Sequence, residues 1–257
     1  AEKAKIFVCG CASQHDANRF ADLEGVVFIS GVGNKLKIIQ KIEKSSRKKI
    51  EVDNLSEVYE DNLIAKKTKT RAYIKIQDGC NNFCSYCLIP YVRGRSRSRN
   101  IISILNEIND LKGEVKEVVL TGIDITDYGK RLDEDINLGK LIKKILQETN
   151  IERLRISSLD IADLNEDLDE VLKYEKRLMP HIHLSLQSGD NTILKRMLRR
   201  HTREQVIEKC YNILEYRPEV VIGADLIAGF PTETDEMHQN SIKIILKKKL
   251  SNQFLTS

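Results

Sequence analysis

No stretch of this 257-residue sequence is apolar for long enough to cross a bilayer. The longest runs, "VVLTGI" and "VVIGADLIAGF", fall well short of the roughly 20 residues a spanning helix needs. The N-terminal stretch "AEKAKIFVCGCASQ" also lacks the basic-then-apolar build of a signal peptide. Together these absences set a cytoplasmic, reducing compartment as the expectation, with no membrane partner. Extremes of composition are missing too. With 41% hydrophobic and 31% charged residues the chain reads as globular α/β, not as disordered. "GVGNK" lacks the glycine and Ser/Thr pattern of a phosphate loop, and reads as a turn from strand to helix.

What is present is a crowd of thiols. Of six cysteines, Cys80, Cys84 and Cys87 fall within "DGCNNFCSYCLIPYVRGRSRSR", residues 78 to 99. In a reducing compartment such a cluster points to a metal or redox site before a disulfide framework. A structural zinc would want a closed tetrahedron, yet no fourth Cys or His follows nearby. Three thiolates from one loop can instead hold three irons of a [4Fe–4S] cube and leave the fourth open to a small molecule. The next cysteine, Cys210, shares a helical face with Val206, Ile207, Ile213 and Leu214, which predicts a core residue. The net charge of +4 is mild, but Lys and Arg concentrate at 41 to 49, 66 to 71 and 93 to 99, the last beside the cysteines.

Along the chain, "KIFVCGC" and "GVVFIS" read as short strands and "KLKIIQKIEK" as a helix. Residues 1 to 52 therefore form a small, incomplete α/β unit, and the polar stretch 53 to 71 serves as a linker. From 72 to 257 a βα rhythm sets in. Strands are predicted at "AYIKIQ", "KEVVLTG", "RLRISS", "HIHLSLQ" and "VVIGADLIAGF", with "SNQFLTS" as a candidate sixth. Helices are predicted near 101–111, 138–148, 166–176, 190–198, 203–216 and 235–248, and Thr202 with Gln205 fits a capping box. Too few strands for an eight-fold barrel, this is a partial (βα)6 barrel, with its chemistry at the C-terminal ends of the strands. In "HIHLSLQ" the apolar Ile182, Leu184 and Leu186 face one way, and His181, His183, Ser185 and Gln187 the other. The two histidines read as hydrogen-bonded structural residues, while Gln187 and Asp225 lean towards a polar ligand.

The cysteine spacing, with aromatic Tyr86 before the last cysteine, resembles the radical S-adenosylmethionine (SAM) superfamily. "LTGIDITDYG", "RISSLD", "HIHLSLQSGDNTILKRMLRRHT" and "DLIAGFPTET" extend the likeness, in order, to the methylthiotransferases, which act on tRNA adenosine or on a ribosomal-protein aspartate. The resemblance implies a [4Fe–4S] cluster on Cys80, Cys84 and Cys87 whose open iron binds SAM. Cleavage of SAM gives a 5′-deoxyadenosyl radical. It further implies cofactor contacts from Tyr86, Thr121, Gly122, Ser157, Gln187 and Asp225, and an electron donor such as flavodoxin or ferredoxin. The loop "LTGIDITDYG" is like that of the branch acting on N6-threonylcarbamoyladenosine beside the anticodon, whose partner is the tRNA anticodon loop. Arg93, Arg95, Arg97 and Arg99 are then candidate RNA contacts. Other expectations are a different methylthiotransferase or radical SAM substrate, such as isopentenyladenosine tRNA or the ribosomal protein, or a non-catalytic, metal-stabilised RNA-binding module. Cys11, in "GCASQ", matches the last of three ligands of the family's second [4Fe–4S] cluster. The other two ligands and the family's C-terminal RNA-binding β-barrel have no counterpart here, so the chain reads as truncated at both ends, able to cleave SAM but not to complete methylthiolation.

Overall fold

The computed structural model describes residues 4–33, 49–55, 59, 70–111, 113–132, 135–245 and 254–256. The helix expected at "KLKIIQKIEK" and most of the linker lie outside the described residues. Near the N-terminus, β1 (Ile6–Val8), α1 (Cys11–His15), β2 (Val26–Ser30) and β3 (Lys49–Glu51) build a small parallel sheet in the order β1-β2-β3. The sequence gives no warning of β3, because three residues alternating Lys-Ile-Glu carry too little pattern to read. Ser13 Oγ donates to the carbonyls of Gly10 and Ser30, at 3.1 and 2.5 Å, tying α1 to the end of β2.

The larger unit runs β4 (Arg71–Lys75), β5 (Gln77–Asp78), α2 (Ile89–Arg93), β6 (Arg97–Ser98), α3 (Ile101–Asp110), β7 (Glu117–Thr121), α4 (Leu138–Glu148) and β8 (Arg153–Ile156). It continues through α5 (Glu166–Tyr174), β9 (His181–Gln187), α6 (Asn191–Arg196), α7 (Arg203–Tyr216), β10 (Val221–Leu226), α8 (Asp235–Ile245) and β11 (Phe254–Thr256). Two parallel three-stranded sheets, β4-β7-β8 and β9-β10-β11, are joined by parallel bridges between Leu154 and Leu178 and between Leu159 and Leu184. Apart from the short antiparallel pair β5-β6, successive strands are neighbours in space, which is the connectivity of an open barrel, and the expected sixth strand is there as β11.

From α3 to α7, each helix starts where a polar side chain meets its unpaired N–H groups. Asn100, Asn137, Asn165 and Asp190 accept from the first turns of α3, α4, α5 and α6, and Thr202 and Gln205 close the capping box of α7. The strands then sort their faces. Ala72, Ile74, Val118, Leu120, Leu154, Ile156, Ile182, Leu184, Ile222 and Ala224 pack outward into one core with Ile104, Leu141, Ile145, Val171, Val206 and Ile213 of the helices. Each such burial contributes about 1.5–3 kcal/mol against an exposed side chain. Cys210 is fully buried in this core, which pushes its thiol up to about 12, as befits a small apolar residue.

The opposite faces are polar. At the bottom, in-register Arg71, Glu117 and Arg153 lie side by side on β4, β7 and β8, with Arg155 two residues on. Glu117 pairs with all three arginines, at 2.5, 3.2 and 3.3 Å. Burial works against its charge, but Arg153, Arg155 and Arg71 hold the carboxyl below the usual range. This charged group lies at the N-terminal ends of the strands, opposite the C-terminal ends that carry the loops.

Candidate active site at the mouth of the barrel

The cysteine loop begins where β4 ends, and a single buried glutamine shapes it. Gln77 is completely buried, and its Nε2 donates to the carbonyl of Gly79 at 2.7 Å and to Ser96 Oγ at 2.9 Å. Its Oε1 accepts from the backbone N–H groups of Ile123 and Asp124, at 2.9 and 2.8 Å. One side chain thus fastens the cysteine loop to the loop after β7. The approach is close: Gly79 has φ +73, and a Cβ there would meet the Arg95 carbonyl at 2.1 Å. Gly122 is packed likewise, with the Gln77 side chain at 2.9 Å from a Cβ position. Gln77→Leu is expected to strand these buried backbone donors, at about 1–3 kcal/mol each. The check is a fall in the denaturant midpoint together with lower iron retention after reconstitution.

Cys80 and Cys84 are buried and Cys87 is partly exposed, all as free thiols. The Asn82 N–H points at Cys80 Sγ, 3.4 Å away, and Arg199 Nη1 donates to Cys84 Sγ at 3.5 Å. Burial pushes the Cys80 thiol up to about 11, and Asp124, Cys84 and Cys87 add to that. Three thiolates in such a place need cations to hold them. A tetrahedral zinc with bonds near 2.3 Å would bring its sulfurs to about 3.8 Å from one another. The three cysteines do not form a group within 4.8 Å; among the described residues only Asp124, Asp160 and Asp163 do. Thiols that act on one another electrostatically, yet are not grouped as tightly as a mononuclear site, fit a larger cluster, and the N–H and guanidinium donors suit its sulfur ligands.

Around the cysteines lies a polar network from four separate loops. Asn82 Nδ2 donates to Asp124 Oδ2 at 2.9 Å and to Asp160 Oδ2 at 3.2 Å. Arg199, buried, sits 3.1 Å from Asp160 and donates to the Ser185 carbonyl at 2.8 Å. Thr126 Oγ1 donates to Asp124 Oδ1 at 2.6 Å and accepts from the Asp160 N–H. Two neighbouring carboxyls are driven opposite ways. Burial raises Asp124, and Asp160, Asp127 and Asp163 push it further, against the Thr126 bond. Burial also opposes the charge of Asp160, but His201, Arg199, the Ala162 N–H and Arg200 hold it below the usual range. Arg200 pairs with Asp163, and Lys130 reaches Asp127 and Asp163 at 2.7 and 2.8 Å, so the acidic group is met by protein cations.

The backbone is strained at this same end. Among the described residues, Phe83, Gln187, Leu198 and Thr232 are the non-glycine residues with positive φ, at 51°, 68°, 59° and 74°. All four lie in the cysteine loop, at the end of β9 or in the loops beyond β9 and β10. Backbone strain of this kind collects at sites of function.

The structure brings together some of the expected residues and moves others. Tyr86, half-exposed, packs edge-on against Phe230 with ring centroids 6.5 Å apart; burial and nearby Cys84 push its hydroxyl up. Thr121, Gly122, Ser157 and Gln187 stand at the C-terminal ends of β7, β8 and β9 or just beyond, on the mouth side. Asp225, on β10, lies 3.5 Å from His183 Nε2, and Ser158 Oγ is 3.0 Å from His183 Nδ1, so His183 is hydrogen-bonded in place. His181 departs from that expectation: its Nδ1 is buried with no hydrogen-bond partner. Cys11 meets the mouth through Arg93, whose Nε donates to Cys11 Sγ at 3.3 Å while Nη1 reaches Asp78 at 3.4 Å.

The arginine run needs correction. Arg99 is buried, paired with Glu107 and donating to Ser103 Oγ, so it braces α3 and is out of reach of an RNA phosphate. Arg97 is turned inward to Asp78 and to the Arg93 and Arg95 carbonyls. Arg93 is half-buried between Asp78 and Cys11, which leaves Arg95 as the exposed member of the run. Sequence reasoning also missed Gln77, Asn82, Asp124, Asp160 and Arg199. Their motifs were noticed, but nothing local marks which residue of a motif turns inward.

Comparison with known proteins gives a consistent picture. The family description "Radical SAM superfamily" matches residues 74–245. The chain is 43% identical over 252 residues to a threonylcarbamoyladenosine tRNA methylthiotransferase of Rickettsia prowazekii, covering 96% of this chain and 59% of that protein. It is 35% identical to a tRNA-2-methylthio-N(6)-dimethylallyladenosine synthase of Clostridium tetani, covering 97% and 57% respectively. The chain thus spans somewhat under three fifths of the length of these curated relatives. Among solved structures, the apo form of the cobalamin-dependent SAM radical enzyme OxsB matches with a TM-score of 0.57 over 98% of this chain and 44% of that one, at 12% identity, a likeness of fold.

Proposed function

The chain belongs to the radical SAM superfamily, and we propose that it is the radical-generating part of a tRNA methylthiotransferase that converts N6-threonylcarbamoyladenosine to its 2-methylthio derivative. The observation that carries this reading is the higher identity, 43% against 35%, to the relative named for that substrate, across almost the whole chain. A [4Fe–4S] cluster and SAM fit the donor set, and when bound they supply a carbon-centred radical able to take hydrogen from an unactivated C–H bond.

The rest falls to this chain's own side chains. Cys80, Cys84 and Cys87 would hold the cluster, with the Asn82 N–H and Arg199 steadying two of the sulfurs. Asp124, Asp160 and Asn82 form a preorganised wall in which one carboxyl is kept charged and the other is pressed towards neutrality, a polar lining suited to a zwitterionic amino acid moiety. Thr121, Ser157, Gln187 and Asp225 continue that lining around the strand ends. Tyr86 and Phe230 narrow one side of the mouth and help to keep water out. A target base in an anticodon loop must be splayed from its neighbours to enter such a space. Cys11, whose Sγ accepts from Arg93, would be the candidate ligand of a second cluster.

Two measurements test the proposal. Reconstituted under anaerobic conditions, the chain should form 5′-deoxyadenosine from SAM and dithionite. Nucleoside mass analysis of tRNA from cells that lack the modification and express a full-length version of the protein should show 2-methylthio-threonylcarbamoyladenosine. If only the isopentenyladenosine derivative appears, the substrate assignment passes to the other branch; with no 5′-deoxyadenosine, the radical reading falls.

A further inference from the structure

Tyr91, Phe83 and Arg95 form a small exposed assembly on the outer side of the cysteine loop. Tyr91 is 64% exposed although its neighbours on α2, Pro90 and Val92, are buried, so the ring is held in solvent by an anchored element. Phe83 packs edge-on against it, with centroids 5.6 Å apart and ring planes at 84°. The Arg95 guanidinium lies over the Phe83 ring, 4.4 Å from its centroid. Phe83 itself is only partly exposed and sits in a left-handed backbone conformation. Its contacts are taken up by its two neighbours, while the Tyr91 ring and the outer face of Arg95 stay open.

Charge decides what such a surface can meet. Asp78, the acidic group of this loop, is already engaged by Lys75, Arg93 and Arg97. Among the described residues no carboxylate pairs with Arg95. An exposed ring beside an uncompensated, flat cation matches a partner with planar faces and negative charge. Unpaired nucleotides have both.

We propose that Tyr91 and Arg95, backed by Phe83, are a stacking platform for single-stranded RNA, seating nucleotides next to the base that enters the barrel. This deepens the tRNA reading above and rests on it. Phe83 supplies preorganisation: it fixes both neighbours before RNA arrives, so less freedom is lost on binding.

The test is binding of an anticodon stem-loop RNA to the reconstituted chain over a range of salt concentrations, for the wild type, Tyr91→Ala and Arg95→Gln. Cluster absorbance checks that the variants are intact. Tyr91→Ala should weaken binding about tenfold, the loss of roughly one stacked base, with no change in salt dependence. Arg95→Gln should weaken it as well and flatten the log–log salt slope by about 0.7, the share of one cation on a single strand. Wild-type binding that both variants retain would overturn the platform and leave the RNA substrate standing. Absence of RNA binding by the wild type would overturn both. Loss of binding without the difference in salt slope would overturn the division of labour and reduce the trio to a structural contact.

Discussion

Cys84→Ala should leave a folded chain that no longer retains its iron and makes no 5′-deoxyadenosine above background. The thiol lies at the crossing of the site: it is buried, accepts from Arg199, and is separated by two residues from Cys87 and three from Cys80. A cube held at three corners has no spare protein ligand, so removal of one leaves two thiolates that the neighbouring carboxyls repel. The fold should survive, because the apolar core lies on the other face of the strands and the loop is held by Gln77, Gly79 and the Arg97–Asp78 pair. Cys210→Ala is the control. It removes an even more deeply buried thiol from the core between α7 and the sheet, and should cost about 1 kcal/mol of stability while iron content and product formation stay at the wild-type level. Iron per chain, absorbance and product yield measured side by side decide the matter. Equal loss in both variants would mean that the cysteines matter only for folding.

Asp160→Ala should be among the most destabilising single changes in the molecule, at about 3–5 kcal/mol, because it leaves Arg199 buried without its carboxylate. Against a total stability of about 5–15 kcal/mol that is a large fraction. A lowered urea midpoint with an unchanged slope is the expected signature. The pH dependence follows from the direction of the shift. The folded Asp160 carboxyl lies below its ordinary value of about 3.9, so its contribution is present above that pH and is lost as pH falls through the folded value. Glu117 and Asp78, also held low, act in the same sense. Asp124, raised, acts in the opposite sense: its burden on the folded state is relieved on acidification. Asp160→Asn should therefore give a chain less stable at neutral pH whose stability declines less steeply below about pH 4. An acid limb identical to the wild type would show that Asp160 is not ionised through its partners.

The sequence by itself determined the parts that depend on short-range pattern. The alternation in "HIHLSLQ" appears in β9 as polar residues inward and Ile182, Leu184 and Leu186 buried, because a strand turns successive side chains to opposite faces. Thr202 and Gln205 cap α7 as spaced, and Cys210 is buried as its helical face demands. The cysteine loop was legible for the same reason, since its three thiols lie within eight positions. Tertiary structure alone decided the rest. Arg97 and Arg99 read as surface charges, but Asp78 and Glu107 draw them inward, and a charged side chain that finds a buried partner need not face solvent. Asn82 reaches Asp160 across 78 positions, and Arg199 reaches Cys84 across 115. No local periodicity records such pairings. They exist because six strands in sequential order carry their C-terminal loops to one rim, where side chains far apart in the chain must satisfy one another's charge.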